Sequence, residues 1–288
     1  MGDVQRKVPA DFANCGDLTY ADDTAIHSDN MESLQIVLDE LLATAKQYGL
    51  EANIDKTVHL QVRHSDELVD VNGTPIKAVN KVKYLGSVIT ADGQCTSAVI
   101  ARLGEARASF TKLEAIWKHS ALSKSRKLEV YKACVVSKLL FGLEIHFLRK
   151  HERDRLDAFH ARCLRKILRI PHPMISHVSN KLVLQAAGEQ PLSTQLTMKQ
   201  VILFCKTALL PDDSLLRQTV FQPSSFDLKM FAGKRRKGRP RVSWVTAVSA
   251  HALLVAGGNS QHMQDIFRNP TALHLWKQAV KLHFSQSM

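Results

Sequence analysis

The stretch NCGDLTYADDTAIHSD, residues 14–29, places two carboxylates, Asp22 and Asp23, side by side between two strand-like runs. The pattern predicts a hairpin whose strands are GDLTY and TAIH and whose turn carries the aspartates. Adjacent carboxylates repel each other, and removing either from water is unfavourable unless a cation lies close to it. This stretch by itself leaves two interpretations open: an acidic surface turn, or a site for a divalent metal ion.

The residues after the hairpin predict an α+β layer over residues 15–90. Apolar residues recur at helical spacing through residues 34–48, residues 28–30 can cap the start of that helix, and Gly49 ends it. Residues 56–62 and 81–90 alternate as strands do, and the Asn72-Gly73 pair between them is a strong hairpin signal. The predicted order of elements is β-β-α-β-β-β.

From Thr96 onward the apolar spacing changes and predicts a helical bundle with a cationic outer surface. Longer helices are expected over residues 123–148 and 151–170, and Pro171 stops the second of them. The helix that follows Thr96 is marked by the apolar residues Ile100, Leu103, Phe110, Leu113 and Trp117.

Beyond the bundle the chain becomes mixed in character, with a helical pattern over most of residues 176–210. Prolines, serines and a basic run then predict a linker or loop, and two short helices are expected near the end. The predicted segments are residues 1–14 without a recognisable motif, the 15–95 layer, the 96–172 bundle, a 173–210 helical extension, a 211–242 basic linker and 243–288 C-terminal helices.

The net charge of +12 is unevenly distributed. Residues 1–80 hold 6 Lys and Arg against 14 Asp and Glu, residues 81–170 hold 19 against 8, and residues 171–288 hold 14 against 5. An acidic first part joined to a strongly basic remainder suits a protein that binds metal at one end and a polyanion with the rest. Basic tails that bind no nucleic acid are also common, so charge alone does not identify the partner.

The five cysteines are odd in number and widely spaced, and none forms a C-x-x-C pair. Neither a disulfide framework nor a zinc module is indicated, and a reducing compartment, nuclear or cytoplasmic, is expected. The first residues lack the apolar centre of a signal peptide, and no apolar run has the length of a membrane span.

Several motifs over residues 15–170 occur together in one order: LTYADDTAI, YGLEANIDKT, VKYLGSVIT, ARLGEARASFTKLEAIW and FHARCLRKILRI. In this combination the chain resembles the reverse transcriptase, an RNA-directed DNA polymerase, of non-LTR (LINE-type) retrotransposons. The resemblance implies part of a polymerase palm over residues 15–95, followed by an all-helical thumb over residues 96–172. It favours the metal-site interpretation of the two aspartates over the acidic surface turn.

The resemblance implies catalytic and metal-binding roles for Asp22 and Asp23, with Mg²⁺ or Mn²⁺ as the cofactor. Asp22 matches the first aspartate of the active-site hairpin, and Asp23 matches the second, nearer the rim of the metal site. Tyr20 and Ala21 match positions beneath the incoming nucleotide and the primer end. Two metal ions bound in this way stabilise the attacking and leaving oxygens of an in-line phosphoryl transfer.

Further residues receive roles from the same resemblance. Lys56 follows the palm helix and is expected near the triphosphate of the incoming nucleotide. A solvated lysine at the start of a strand is an equally good interpretation of this residue. Tyr84, Leu85 and Gly86 match the hairpin that holds the primer terminus, where glycine lets backbones approach closely.

The family's palm uses a third carboxylate from a strand upstream of the aspartate hairpin, and this sequence shows none there. Asp17 lies on the hairpin's own strand and cannot reach the metal from the opposite side. The expectation is therefore a C-terminal part of the enzyme that holds Mg²⁺ weakly, is inactive alone and needs the missing half in trans.

Nucleic acid is the expected partner, as RNA template with DNA primer or as DNA target. Arg102, Arg107 and Lys112 of the predicted thumb are expected to follow the phosphate backbone by charge, although a solvated helix face is the alternative for each. A basic run in the predicted linker resembles both a minor-groove hook and a nuclear localisation signal. It suggests an alternative function, a non-catalytic nucleic-acid-binding protein, and its cations are Lys234, Arg235, Arg236, Lys237, Arg239 and Arg241.

Overall fold

A computed structural model describes residues 16–62, 67–119, 121–229, 242–269 and 271–286. The chain divides into two compact units, residues 1–94 and residues 95–288. The first unit contains the short strands, and the second is helical throughout its regular elements.

The described residues of the first unit form three separate two-stranded sheets. Strands β1 and β2 are antiparallel, β3 and β4 are parallel, and β5 and β6 are antiparallel. The elements are β1 Gly16–Tyr20, β2 Asp23–His27, α1 Met31–Gln47, β3 His59–Leu60, β4 Ala78–Val79, β5 Lys81–Tyr84 and β6 Ser87–Thr90. A mixed α+β arrangement is therefore confirmed, with shorter strands than the alternation of residues 56–62 predicts.

The predicted Asn72-Gly73 turn reverses the chain, with an antiparallel bridge between Val69 and Pro75 and backbone bonds from Asp70 N to Thr74 O at 2.9 Å and from Ile76 N to Leu68 O at 2.7 Å, but it does not extend into a regular two-stranded ladder. The nearly buried Asp70 carboxylate explains this, because it accepts hydrogen bonds from the backbone N–H groups of Asn72 and Thr74, each at 2.8 Å. These bonds satisfy backbone donors that a longer ladder would otherwise use.

Helix α1 begins as its sequence predicts, because the Asn30 side chain accepts a hydrogen bond from the Glu32 N–H at 2.9 Å. Its apolar stripe is only half-buried, and Leu68 and Ile76 are the fully buried apolar side chains among the described residues of this unit. Gln35 fastens the helix by donating to Val69 O at 2.9 Å and accepting from Val69 N at 3.0 Å. Hydrogen bonds therefore provide many of the contacts that hold the described part of this unit together.

The second unit is built on a first apolar core formed by its helices up to residue 196. Phe110 and Trp117 stack with their ring centroids 5.0 Å apart. Ile100, one of the apolar residues that mark this helix in the sequence, is 54% exposed. The helices of this part are α2 Thr96–Lys112, α3 Glu114–Lys118, α4 Lys124–Tyr131, α5 Ser137–Leu140, α6 Lys150–Leu168, α7 Pro173–Ser176 and α8 Asn180–Ala187.

The single helix predicted over residues 123–148 is broken into pieces. A π-helical turn, Lys132–Val136, joins α4 to α5, and a 3₁₀ turn, Leu143–Ile145, follows. Gly142 lies between them with φ of 73°, a left-handed conformation that ends the helix and that glycine adopts without steric cost.

The second core packs the C-terminal helices against α9 Leu192–Ala208, which also contributes to the first core. Trp244 Nε1 donates to Glu144 O at 2.7 Å and Gln190 Nε2 donates to Phe284 O at 3.0 Å, so both ends of this region are tied to earlier helices. The remaining helices are α10 Leu215–Val220, α11 Trp244–Val255, α12 Ser260–Arg268 and α13 Ala272–Gln286. None of the helices in the described part of the chain is long and apolar enough to cross a membrane.

Residues 211–229, predicted as part of a linker, are packed around the buried Arg217. Its guanidinium donates to Asp212 at 2.8 Å and to Ser225 O at 3.1 Å. It also lies over the rings of Phe221 and Phe226, 5.3 and 5.0 Å from their centroids. Prolines and serines predicted a loop here, but the sequence does not reveal the cation–aromatic contacts that order it.

His160 is fully buried in the first core of the second unit. Its Nδ1 lies 2.8 Å from the Tyr131 hydroxyl, and the two rings stack. Burial lowers the pKa of His160 to about 4, because the imidazolium would lose its hydration. The neutral imidazole is therefore the form that stabilises the fold.

This burial predicts acid sensitivity of the second unit. The folded-state pKa lies below the unfolded value, so the contribution is complete above about pH 6.5 and is lost as pH falls towards 4. His160→Asn keeps an acceptor for Tyr131 and removes the titration, so it is expected to flatten the loss of unfolding free energy between pH 7 and 5 by about 2 kcal/mol. Urea unfolding at both pH values measures this.

Tyr131→Phe is the matched control for that measurement. It removes the hydrogen bond between the Tyr131 hydroxyl and His160 but leaves the imidazole. The free energy of unfolding is therefore expected to fall by about 1 kcal/mol at both pH values. An unchanged pH dependence in His160→Asn would contradict the assignment.

Candidate active site and nucleic-acid interface

The β1–β2 hairpin carries the two aspartates at its tip. Tyr20 pairs with Asp23, which leaves Ala21 and Asp22 as a two-residue loop. Ala21 has φ of 53°, the left-handed value that the first loop position of a type II′ turn requires. This conformation costs an alanine about 1 kcal/mol, so the turn that presents the aspartates is locally strained.

Neither aspartate is neutralised by a residue that the structure describes. Asp22 and Asp23 are both exposed, and neither carboxylate forms a hydrogen bond or ion pair with a described residue. Two like charges next to each other without a cationic neighbour leave a negative potential at the tip. The tip can therefore accept a cation from solution.

An exposed apolar surface adjoins the carboxylates. Side chains alternate along a strand, so the pairing register puts Leu18, Tyr20 and Asp23 on one face of the hairpin. Leu18 is 51% exposed and Tyr20 is 66% exposed. Flat apolar surface beside charged oxygens is the combination that a nucleotide, with its base or sugar and its phosphates, could use.

The second predicted motif forms the β5–β6 hairpin and contacts the first. Leu85 and Gly86 make its two-residue loop with φ of 47° and 77°, the signature of a type I′ turn. The half-buried Tyr84 donates a hydrogen bond from its hydroxyl to Leu18 O at 2.8 Å. The structure therefore brings two motifs 66 residues apart into direct contact.

Lys56 lies in an exposed turn after α1. Its backbone N–H donates to Asn53 Oδ1 at 3.1 Å, and its side chain forms no hydrogen bond or ion pair with a described residue. Within the described part of the first unit, no hydrogen bond or ion pair joins its side chain to the aspartates. Its predicted role near a triphosphate stays a prediction.

Two other carboxylates of the first unit, those of Asp17 and Asp70, have local partners. The Asp70 pKa is held low by the backbone N–H of Thr74 and, after it, that of Asn72, against the opposing effect of burial. Asp17 accepts a hydrogen bond from Thr19 Oγ1 at 3.3 Å on its own strand. Over the ranges that the structure describes, no three His, Cys, Asp or Glu side chains gather as a metal-binding group.

The chemistry of the donors at the hairpin tip nevertheless suits a divalent metal. Carboxylate oxygens are hard ligands, and Mg²⁺ is commonly held by one or two of them together with water and substrate phosphates. Asp22 and Asp23 supply that number of carboxylates, both facing solvent. They fit a metal ion whose other ligands come from a nucleotide.

The three predicted cations of α2 have different environments. Arg107 and Lys112 are exposed, and neither forms an ion pair with a described residue. Arg102 has an 11% exposed side chain that contacts Glu105 at 3.0 Å and lies 4.9 Å from the Phe141 ring centroid. Arg102 therefore packs within the second unit, and Arg107 and Lys112 are the cations of this helix that a polyanion can reach.

The six cations of the predicted basic run lie outside the described residues. They are Lys234, Arg235, Arg236, Lys237, Arg239 and Arg241.

Comparison with known proteins bears on the first unit. Residues 1–89 match the family model of reverse transcriptase (RNA-dependent DNA polymerase). No curated protein and no solved structure shows significant similarity to the chain. The matched region contains both hairpins, the aspartate turn and Lys56, and ends within β6. A reverse transcriptase domain acts as an RNA-directed DNA polymerase and binds a nucleic-acid template and primer.

The residue pattern predicted the aspartate hairpin but gave a single strand over residues 81–90, where the chain in fact reverses at Leu85 and Gly86; only the resemblance implied a hairpin there. The pattern also missed how the two hairpins are connected. The partner of the Tyr84 hydroxyl is a backbone carbonyl, which every residue carries, so no side-chain pattern could reveal it. The positive φ of Ala21 was equally invisible, because alanine gives no signal for a left-handed turn.

The contact between the hairpins yields a prediction. Tyr84→Phe removes the hydroxyl that donates to Leu18 O. Amide hydrogen exchange across β1 and β2 is therefore expected to accelerate roughly fivefold, the equivalent of about 1 kcal/mol. Exchange measured by mass spectrometry on peptides covering residues 16–27 tests this.

Tyr48→Phe is the control, because Tyr48 is 76% exposed and its hydroxyl has no partner among the described residues. Equal exchange rates in the two variants would contradict the proposed connection.

Proposed function

We propose that the first unit is part of the palm of an RNA-directed DNA polymerase of the non-LTR retrotransposon type. Asp22 and Asp23 would bind Mg²⁺ or Mn²⁺ together with the phosphates of the incoming nucleotide. The observation that carries the proposal is the pair of unpartnered carboxylates on a two-residue turn inside the region that matches the family model.

The residues around the turn have distinct tasks in this proposal. Tyr20 and Ala21 form the floor beneath the nucleotide and the primer end, and the strained turn fixes the direction of the carboxylates. Tyr84, Leu85 and Gly86 support the primer terminus. The Tyr84 hydroxyl keeps that support in register with β1 through its bond to Leu18 O.

A bound divalent ion supplies charge stabilisation at the phosphate that is transferred. The chain's own carboxylates hold the cation, and the exposed Leu18 and Tyr20 face excludes water from one side of the nucleotide. Lys56 is proposed to offset the charge of the triphosphate from its exposed turn.

In the proposal the second unit acts as the thumb that grips the template–primer duplex. Its reachable cations, including Arg107 and Lys112, follow phosphates by charge without reading sequence. The charge of +12 over the chain gives the long-range attraction for this contact.

Primer extension tests the catalytic proposal directly. Because the sequence predicts that the chain is inactive alone, it is combined in trans with the upstream palm and fingers of a reverse transcriptase and is given an RNA template, a DNA primer, deoxynucleotides and Mg²⁺ or Mn²⁺. Extension is expected to fall roughly a hundredfold or more in Asp22→Asn, because bound metal supplies several kcal/mol of transition-state stabilisation.

The matched control is Asp55→Asn, which neutralises an exposed carboxylate of the same unit outside the aspartate turn. It is expected to extend at the wild-type rate. Extension that survives in Asp22→Asn, or is absent from the wild type, would contradict the catalytic assignment.

A second candidate is a nucleic-acid-binding protein without catalysis. It is favoured by the basic second unit, where residues 95–288 include the exposed, unpaired Arg107 and Lys112. This function needs no metal and makes no use of the aspartate turn.

Salt titration of binding tests this candidate. An RNA–DNA duplex should bind wild type and Asp22→Asn equally, and Arg107→Ala with Lys112→Ala should reduce the salt slope by about 2. Lys118→Ala is the control, because Lys118 is already paired with Glu114 at 3.2 Å and should change the slope less. A slope unaffected by the double substitution would contradict a role for α2.

A further inference from the structure

The most exposed large apolar side chains of the second unit lie next to each other on a short loop. Met174 is 81% exposed and Ile175 is 74% exposed, more than any other large hydrophobic residue in the described part of the second unit. They form the tip of residues 171–178, here termed the tip loop, which contains the one-turn helix α7. The loop lies outside the region that matches the polymerase family model.

A buried arginine holds the tip loop in place. Arg165, at the end of α6, is 6% exposed and donates from Nη1 to Pro171 O at 3.2 Å and to Ser176 Oγ at 3.4 Å. Its Nη2 donates to Val178 O and to Asn180 Oδ1, the latter at 3.2 Å. One guanidinium therefore fixes both ends of the loop, so the apolar pair is presented on a supported structure.

The backbone at both borders is held in an unusual conformation. Arg169 and His177 have φ of 59° and 51°, left-handed values that cost non-glycine residues about 1 kcal/mol each. Such conformations persist where surrounding contacts determine them, and here the Arg169 N–H donates to Lys166 O at 3.4 Å and the His177 N–H donates to Pro173 O at 2.9 Å.

The surroundings of the tip loop are cationic. Residues 158–188 contain five Lys and Arg and no Asp or Glu. Arg162, Lys166 and Arg169 are exposed and spaced so that they follow one face of α6 towards the loop, and Lys181 is exposed beyond it. Lys166 is paired with Glu114 at 2.9 Å, whereas Arg162 and Lys181 have no ion pair with a described residue.

We propose that the tip loop is an apolar wedge that inserts Met174 and Ile175 against the bases of a nucleic-acid duplex, while the neighbouring cations contact its phosphates. Methionine and isoleucine are among the side chains that proteins insert between base steps, and unstacking one step costs a few kcal/mol. A braced loop suits this task, because a loop that had to be ordered on binding would lose part of the gain.

Charge favours nucleic acid over a protein partner for this surface. An apolar pair among cations, with no acidic side chain from residue 158 to residue 188, complements a surface that is apolar inside and anionic outside. Stacked bases between phosphate strands have that arrangement. The inference rests on the proposed function only for the class of partner and does not involve the aspartates of the first unit.

Fluorescence of 2-aminopurine tests the wedge. RNA–DNA duplexes carry the probe at one position each, from the terminal pair inwards, and the full chain is titrated into them. Wild type is expected to brighten the probe at one step, as an unstacked base does. Met174→Ser with Ile175→Ser is expected to abolish the brightening and weaken binding roughly five- to tenfold, with the salt slope unchanged.

Two control variants separate apolar insertion from general effects. Leu275→Ser with Leu282→Ser changes an apolar pair of α13 that is similarly exposed, at 65% and 63%, and should retain both brightening and affinity. Lys181→Ala should reduce the salt slope by about 1 and retain the brightening. Asp22→Asn should behave as wild type here, so loss of polymerase activity and loss of the wedge are distinguishable.

The contrary results are equally specific. Brightening that survives in the Met174/Ile175 variant, or is absent from the wild type, would overturn the proposal. Binding of anionic phospholipid vesicles that depends on the pair, without probe brightening, would assign the loop to a membrane surface instead. Sedimentation that shows a dimer lost only in this variant, with duplex binding unchanged, would assign it to self-association.

Discussion

Mutual repulsion between Asp22 and Asp23 is the constraint around which the first unit is arranged. A two-residue turn holds both carboxylates at a hairpin tip, and no described side chain neutralises them. A fold maintains such an arrangement against Coulomb repulsion when water solvates the charges or a cation binds them. The strained φ of Ala21 and the hydrogen bond from Tyr84 keep the tip in this geometry.

The cations of the second unit have two different environments. The buried Arg165 and Arg217 and the half-buried Arg153 donate mostly to backbone carbonyls and side-chain oxygens, and each holds a loop or helix start in place. Exposed cations such as Arg107 and Lys181 have no ionic partner among the described residues. Net charge alone therefore overstates the surface available to a polyanion, as the packed Arg102 illustrates.

The two cores of the second unit depend on one helix, α9, which contributes Leu192 and Leu196 to the first and Val201 and Phe204 to the second. A change on this helix is therefore transmitted to both. The tip loop is attached to the first core through α6, the helix that carries both Arg165 and the buried His160. Apolar packing and the satisfied guanidinium together keep that loop at a fixed place on the surface.

The sequence by itself determined the α+β character of the first unit, the presence of the aspartate hairpin, the cap of α1 and the helical character beyond Thr96. These are local properties, since period, turn residues and capping side chains act within a few positions of the chain. The likeness of residues 1–89 to reverse transcriptase was equally accessible from the ordered motifs.

Only the tertiary structure decided the rest, because those features depend on distant partners. Tyr84 reaches a carbonyl 66 residues away, Gly142 breaks a helix that periodicity predicts as continuous, and Arg217 packs a segment whose composition predicts a linker. The exposure of Met174 and Ile175 likewise follows from Arg165 holding their loop outward. Apolar residues are expected in the core of a protein, and which of them remain on the surface is decided only by the packing of the folded chain.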